Sequence, residues 1–175
     1  DGQGKANIDT QVRKNKVDFF NHMLELFVKH GLFNLKLKAW GDDIHHLIED
    51  IGIVLGQAFR QALNEKKGIQ RFGFSYVPMD ESLARVCVDI SGRSFLVFKA
   101  KLGRSKVGDF DTEVVPEFFK AWVDNAMVNL NIELLSGQNT HHNIEVIFKA
   151  WALAMREAVV FNPRIKDLPT TKGLL

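Results

Sequence analysis

His45-His46-Leu47-Ile48-Glu49 returns 96 residues later as His141-His142-Asn143-Ile144-Glu145. The same shift of 96 lays Gly41 on Gly137. Asn34-Leu35-Lys36-Leu37 then falls within one residue of Asn129-Leu130-Asn131-Ile132, and the helical stretch holding His22 falls, again within one residue, over that holding Glu117 and Phe118. Self-similarity at a fixed period marks a structural duplication. Each half reads strands, helix, strand, motif helix. That order predicts an α+β fold, a two-layer sandwich of sheet and helices built by duplication, with the helices on one face of the sheet. The halves are expected at residues 1–79 and 80–175 of one compact domain. The second half has two strands, Arg85–Ile90 and Phe95–Lys101, before its first helix, where the first has room for little more than one. A further N-terminal strand is therefore expected in the natural protein.

The motif also carries chemistry. On a helix, His45 and Glu49 lie one turn apart, as do His141 and Glu145, while adjacent histidines diverge by about 100° around the axis. One imidazole of each pair can then serve one ion and its neighbour another. Two copies supply four imidazoles and two carboxylates, most of a two-metal site. Such donors suit manganese, zinc, iron or nickel, and the lack of thiolates argues against a structural zinc cage. Taken singly, a His-His pair opening an amphipathic helix is an ordinary solvated feature. Four of the six histidines falling in the two stretches favours metal.

At 175 residues and 46% hydrophobic residues the chain can bury a core. A net charge of +2, spread along the sequence, leaves no basic footprint for nucleic acid. No apolar run reaches a membrane span and the start shows no signal-peptide pattern. One cysteine builds no disulfide framework. A soluble cytoplasmic protein is expected, with Cys87 buried in the strand Arg85–Ile90.

Along the chain, Lys5–Val17 reads as strand. Asp18 is placed to cap a helix whose stripe is Phe19, Phe20, Met23, Leu24, Phe27 and Val28, with Gly31 as its C-cap. His22 sits just off that stripe, free to point into a site. The first motif helix is expected from Ile44 to Glu65, with Gly52 and Gly56 permitting close packing. Strands follow at Phe72–Val77, Arg85–Ile90 and Phe95–Lys101, with a turn at Pro78-Met79-Asp80 and a polar loop between Gly103 and Gly108. A helix over Glu113–Met127, a strand over Val128–Leu135 and a helix over His141–Phe161 complete the second half. The motif alone leaves three functions open: a metal-dependent enzyme, a metal-storage protein, and a di-metal hydrolase.

Phe19-Phe20-Asn21-His22-Met23-Leu24, both HHxxE stretches, Pro78-Met79-Asp80-Glu81, Asp89-Ile90-Ser91-Gly92-Arg93, Phe148-Lys149-Ala150 and Thr170-Thr171-Lys172-Gly173 closely resemble the imidazoleglycerol-phosphate dehydratase family, over essentially the whole chain and in order. The resemblance implies removal of water from imidazole glycerol phosphate to give imidazole acetol phosphate in histidine biosynthesis, through an imidazolate held by two Mn2+ per site. It implies one ion held by His22, His46, His141 and Glu145. The other falls to His45, Glu49, His142 and the residue at the place of Glu117, where family members often carry histidine. Implied substrate contacts are His30, Arg71, Arg93, Lys149, Thr170, Thr171 and Lys172, the arginines and Lys172 suiting phosphate. A homo-oligomer of 24 chains with sites between subunits is also implied. The sequence departs from the family pattern in lacking an N-terminal substrate-contacting glutamate, in the short run Gly41-Asp42-Asp43-Ile44, and in Asn131 where histidine is common.

Overall fold

The computed structural model describes residues 2–103 and 105–175. Its elements run β1 (Lys5–Val12), β2 (Asn15–Lys16), α1 (Asp18–Gly31), β3 (Asn34–Gly41), α2 (Ile44–Leu63), β4 (Phe72–Met79), β5 (Ser82–Asp89), β6 (Phe95–Lys99), β7 (Lys106–Val107), β8 (Phe110–Asp111), α3 (Val114–Ala126), β9 (Asn129–Ser136) and α4 (Thr140–Ala158). The fold is α+β. One sheet has the order β2-β1-β3, another β4-β5-β9-β6, and β7 and β8 form a small hairpin. β1 runs parallel to β3 and β6 parallel to β9, so the strand before each motif helix has an equivalent partner in both sheets. On its other side β9 pairs with β5, whereas β3 is an edge among the described residues.

Helices cover one face of each sheet, and the two sets of helices face each other. α1 packs on β1 and α4, and α4 on β4 and β5; α2 packs on β3 and α3, and α3 on β6. The chain is thus two sheet-and-helix layers joined through their helices. The division at 79/80 cuts a hairpin, because β4 hydrogen-bonds along its whole length to β5 and lies on α4. The change of sheet comes after Leu63.

Sequence explains the helix contact. Gly52 and Gly56 lie one turn apart on α2 and receive the backbone of α3: a Cβ at Gly52 would come 2.8 Å from the Phe118 carbonyl oxygen, and one at Gly56 2.5 Å from that of Trp122. Between the helices sit Phe20, Phe118, Phe119, Trp122, Phe148 and Trp151, all buried. Trp122 and Trp151 meet edge to face with centroids 4.9 Å apart, and Phe27 stacks on Trp151 at 3.8 Å. α4 is buried on several sides at once, which its run of small alanines (Ala150, Ala152, Ala154, Ala158) allows.

Several local expectations are corrected. Asp18 is the first residue of α1 rather than its cap; Val17 holds the cap position. At the other end Leu32, not Gly31, adopts the left-handed conformation, with φ 56°. Pro78 and Met79 belong to β4, and the turn is Asp80-Glu81. Proline is tolerated there because β4 is an edge strand. The loop between Gly103 and Gly108 contains β7 and turns into β8 through Gly108-Asp109. Cys87 is exposed. Val86 and Val88 face the core, so the residue between them must face outward. Among the described residues no helix is long and apolar enough to cross a membrane.

Candidate metal and anion sites

Both motif helices open with matched caps. The Asp43 side chain accepts the His46 amide at 3.0 Å, and 96 residues on Asn139 accepts the His141 amide at 2.9 Å. The caps fix where each helix begins, and with it the direction in which the histidines leave the first turn.

At the start of α4 the expected ligands converge. Glu145 is buried, with its Oε2 3.2 Å from His141 Nε2 and 3.8 Å from His22 Nε2 on α1. Its Oε1 accepts Lys149 Nζ at 2.8 Å. Burial alone would raise the Glu145 carboxyl, but the Lys149 ammonium, followed by His22 and His141, outweighs burial and holds it below the ordinary carboxylate range. Phe19 supports the cluster, its ring meeting that of His141 edge-on at 5.1 Å. Two imidazole nitrogens thus approach one carboxylate oxygen whose partner oxygen is already occupied. By type, imidazole and carboxylate donors suit a divalent ion such as manganese, zinc or iron.

His142 points elsewhere. Its Nδ1 lies 3.0 Å from Glu81 and 3.8 Å from Asp80, both in the β4–β5 turn. Glu81 also accepts the amides of Asn139 at 2.8 Å and Gln138 at 3.3 Å. These donors, the imidazole first, pull the Glu81 carboxyl down to about 2, and Glu81 in turn raises the His142 pKa. Glu81 was not among the site residues expected from sequence. The acidic pair Asp80-Glu81 beside Pro78 was the available signal.

The first motif is not brought to the second. His45, His46 and Glu49 are exposed at the start of α2, where His46 Nδ1 meets Asp43 at 3.6 Å. Glu117 is exposed in the first turn of α3, a place where any carboxylate is favoured by the helix dipole. Among the described residues, no group of three or more His, Cys, Asp or Glu side chains is placed to hold an ion. The expected four-residue ligand sets, each drawing on both motifs, are therefore not assembled within one chain. The reason is topological, since α2 packs on α3 while α4 packs on α1 and the second sheet.

His30 and Lys149 lie along the α1–α4 seam. Burial, then the charges of Lys149 and Arg156, lower the His30 pKa, and Arg156 donates to the His30 carbonyl at 3.2 Å. Lys149 reaches the Met79 sulfur at 3.5 Å as well as Glu145.

The remaining expected contacts do meet, at the far end of the second sheet. Arg71, Arg93, Thr170, Thr171 and Lys172, with Ser91, line a cavity of about 660 Å³. Gly92 has φ +72° and no room for a side chain: a Cβ there would come 2.3 Å from the Leu175 carbonyl carbon. Arg71 donates Nε and Nη2 to Asp89 at 2.7 and 3.1 Å and Nη1 to the Pro169 carbonyl at 2.7 Å. The Arg71 amide in turn donates to the carbonyl of Ala158, the last residue of α4. Thirteen residues separate Ala158 from Glu145, so the cationic cavity and the histidine cluster lie roughly 20 Å apart along the helix.

Comparison with known proteins identifies the family. A family model described as Imidazoleglycerol-phosphate dehydratase matches residues 15–155. The chain is 53% identical to the imidazoleglycerol-phosphate dehydratase of Acetivibrio thermocellus over 178 aligned positions, covering all of this chain and 89% of that one. It is 52% identical to that of Streptococcus mutans, covering 97% and 90%. The fold matches the crystal structure of the Staphylococcus aureus enzyme with a TM-score of 0.80 at 52% identity, over 83% of this chain and 85% of that one. It matches that from Pyrococcus furiosus with a TM-score of 0.79 at 31% identity, over 95% and 90%. The chain belongs to the imidazoleglycerol-phosphate dehydratase family, an enzyme family of histidine biosynthesis.

Proposed function

We propose that this protein dehydrates imidazole glycerol phosphate to imidazole acetol phosphate, in the cytoplasm, with two Mn2+ ions per site. The observation that carries the reading is that the chain builds both handles this substrate requires: an imidazole–carboxylate cluster at one end of α4 and a cationic cavity at the other. His22, His141 and Glu145 would hold one ion together with His46, and His45, Glu49 and His142 would hold the other, with Glu117 as the fourth candidate. Ions held there would supply stabilisation of negative charge on the substrate ring.

The chain's own groups supply the rest. Arg93 offers a planar fork, and Lys172 a point charge, to the phosphate. Lys149 holds Glu145 ionised and fixed, so the carboxylate does not need to reorganise when an ion arrives. A storage protein has no use for the cationic cavity, and a hydrolytic di-metal site ordinarily leans on bridging carboxylates rather than imidazoles.

Assembly belongs to the same reading. The substrate's ring and phosphorus are separated by a three-carbon chain and one oxygen, roughly 6–7 Å. Within one chain the two handles stand roughly 20 Å apart, and the two motifs do not meet. One substrate therefore touches both handles only if copies of the chain contribute different parts of a site, as in a closed symmetric oligomer of 24 chains. Incubation of the purified protein with Mn2+ and imidazole glycerol phosphate tests the activity. Formation of the ketone supports it, and no turnover by metal-loaded assembled protein refutes it.

A further inference from the structure

We propose that Asp89 is a positioning residue for phosphate binding. It fixes Arg71 as a clamp that fastens the C-terminal segment Pro169–Lys172 onto the cationic cavity. The inference deepens the dehydratase reading and rests on it only for the identity of the substrate.

The geometry argues that Arg71 serves the protein before it serves any ligand. A guanidinium has five N–H bonds. Two of them run to the Asp89 carboxylate, at 2.7 and 3.1 Å, and a third to the Pro169 carbonyl 98 residues away, at 2.7 Å. Only two N–H bonds are left, one on each terminal nitrogen. The pair is well shielded, with side-chain exposures of 15% and 25%. The Arg71 backbone is stitched down equally firmly. Its amide donates to Ala158 at 2.9 Å and its carbonyl accepts from Ile90 at 3.1 Å. Its φ of +70° is a conformation a non-glycine residue keeps only when its surroundings impose it.

Asp89 neutralises Arg71 locally, so the net positive charge facing a phosphate comes from Arg93 and Lys172, neither of which has an ion-pair partner among the described residues. Lys172 reaches the cavity only if its segment is docked. Thr170 helps to shape that segment, its hydroxyl accepting the Lys172 amide at 3.1 Å. Among the described residues, the one long-range side-chain bond that secures the segment to the sheet is Arg71 to Pro169, and Asp89 sets its direction by gripping the guanidinium from the opposite side. A lysine in place of Arg71 could not hold both partners in this fork.

This role and simple electrostatics give opposite signs. Removing the Asp89 charge leaves the cavity more positive, which by charge alone strengthens phosphate binding. If Asp89 positions the clamp, its removal weakens binding. The test uses Asp89→Ala and Asp89→Asn in the assembled protein, with inorganic phosphate as the first probe. Expected for Asp89→Ala are amide exchange at Thr170–Lys172 at least ten-fold faster, phosphate bound about ten-fold more weakly, and a KM for imidazole glycerol phosphate raised about ten-fold with kcat little changed. Asp89→Asn keeps one acceptor and should fall between Ala and the unaltered protein. It also carries the test if Asp89→Ala does not assemble. Unchanged tail exchange with equal or tighter phosphate binding overturns the proposal. Exchange and phosphate binding are read without substrate, so they stand or fall apart from the dehydratase reading, which is overturned only by lack of turnover in the unaltered protein.

Discussion

Glu81 and His142 are joined by a 3.0 Å contact between Oε2 and Nδ1, while the other carboxylate oxygen of Glu81 takes the Asn139 and Gln138 amides at the start of α4. Glu81 thus ties the β4–β5 turn to the second motif and decides which nitrogen of His142 is left free. With Nδ1–H donating to the carboxylate, Nε2 carries the lone pair a metal needs.

Replacing Glu81 by Ala should therefore lower manganese affinity by about ten-fold or more at the ion proposed for His142. Titration of the stripped protein followed by manganese EPR reads this directly, and Glu81→Gln should recover part of the loss. Unaltered binding in both variants would mean that Glu81 only caps the helix.

The glycines of α2 should be intolerant. A Cβ at Gly56 lies 2.5 Å from the Trp122 carbonyl oxygen and 2.8 Å from Asn125 Cβ, so Gly56→Ala must push α2 off α3. Overpacking of this kind costs about 1–3 kcal/mol. Thermal unfolding should show a clear drop in Tm, whereas alanine at exposed Val54 on the same helix should shift it little.

Arg93 and the histidine cluster should separate cleanly. Arg93→Ala is expected to weaken phosphate-bearing ligands by ten-fold or more while leaving metal content unchanged, and Arg93→Lys to weaken them less, since charge survives without the fork. Measuring a dephosphorylated analogue alongside isolates the effect. An equal loss for both ligands would make Arg93 a structural residue.

Chelation should dissolve the proposed assembly. Under the two-manganese reading each ligand set is completed by a second copy, so removing the ions would remove bonds between copies. Light scattering should then report smaller species, reversed by manganese. A stripped protein that keeps its full size would place the cohesion elsewhere.

Most of the fold was legible because its signals are local and doubled. Helical spacing alone puts Glu145 one turn from His141, and the 96-residue shift also relates the two caps, Asp43 and Asn139. Cys87 faces outward because the strand period sends a residue between two core valines away from the core, a signal stronger than its apolar surroundings. What sequence spacing does not carry is which elements meet. Asp89 binds Arg71 from 18 residues away and Arg71 binds Pro169 from 98, and nothing periodic announces either contact. The separation of the two motifs is likewise a consequence of helix pairing, a tertiary choice.

The most direct measurement mixes two disabled proteins. Glu145→Gln leaves the cationic cavity intact and Arg93→Ala leaves the histidine cluster intact; each alone should fail to convert imidazole glycerol phosphate at low substrate. Co-expressed in equal amounts and loaded with manganese, they should regain about a quarter of the unaltered activity, because a site between subunits can draw its cluster from one copy and its cavity from the other. Mixed assemblies as inactive as their parents would contradict a site shared between chains.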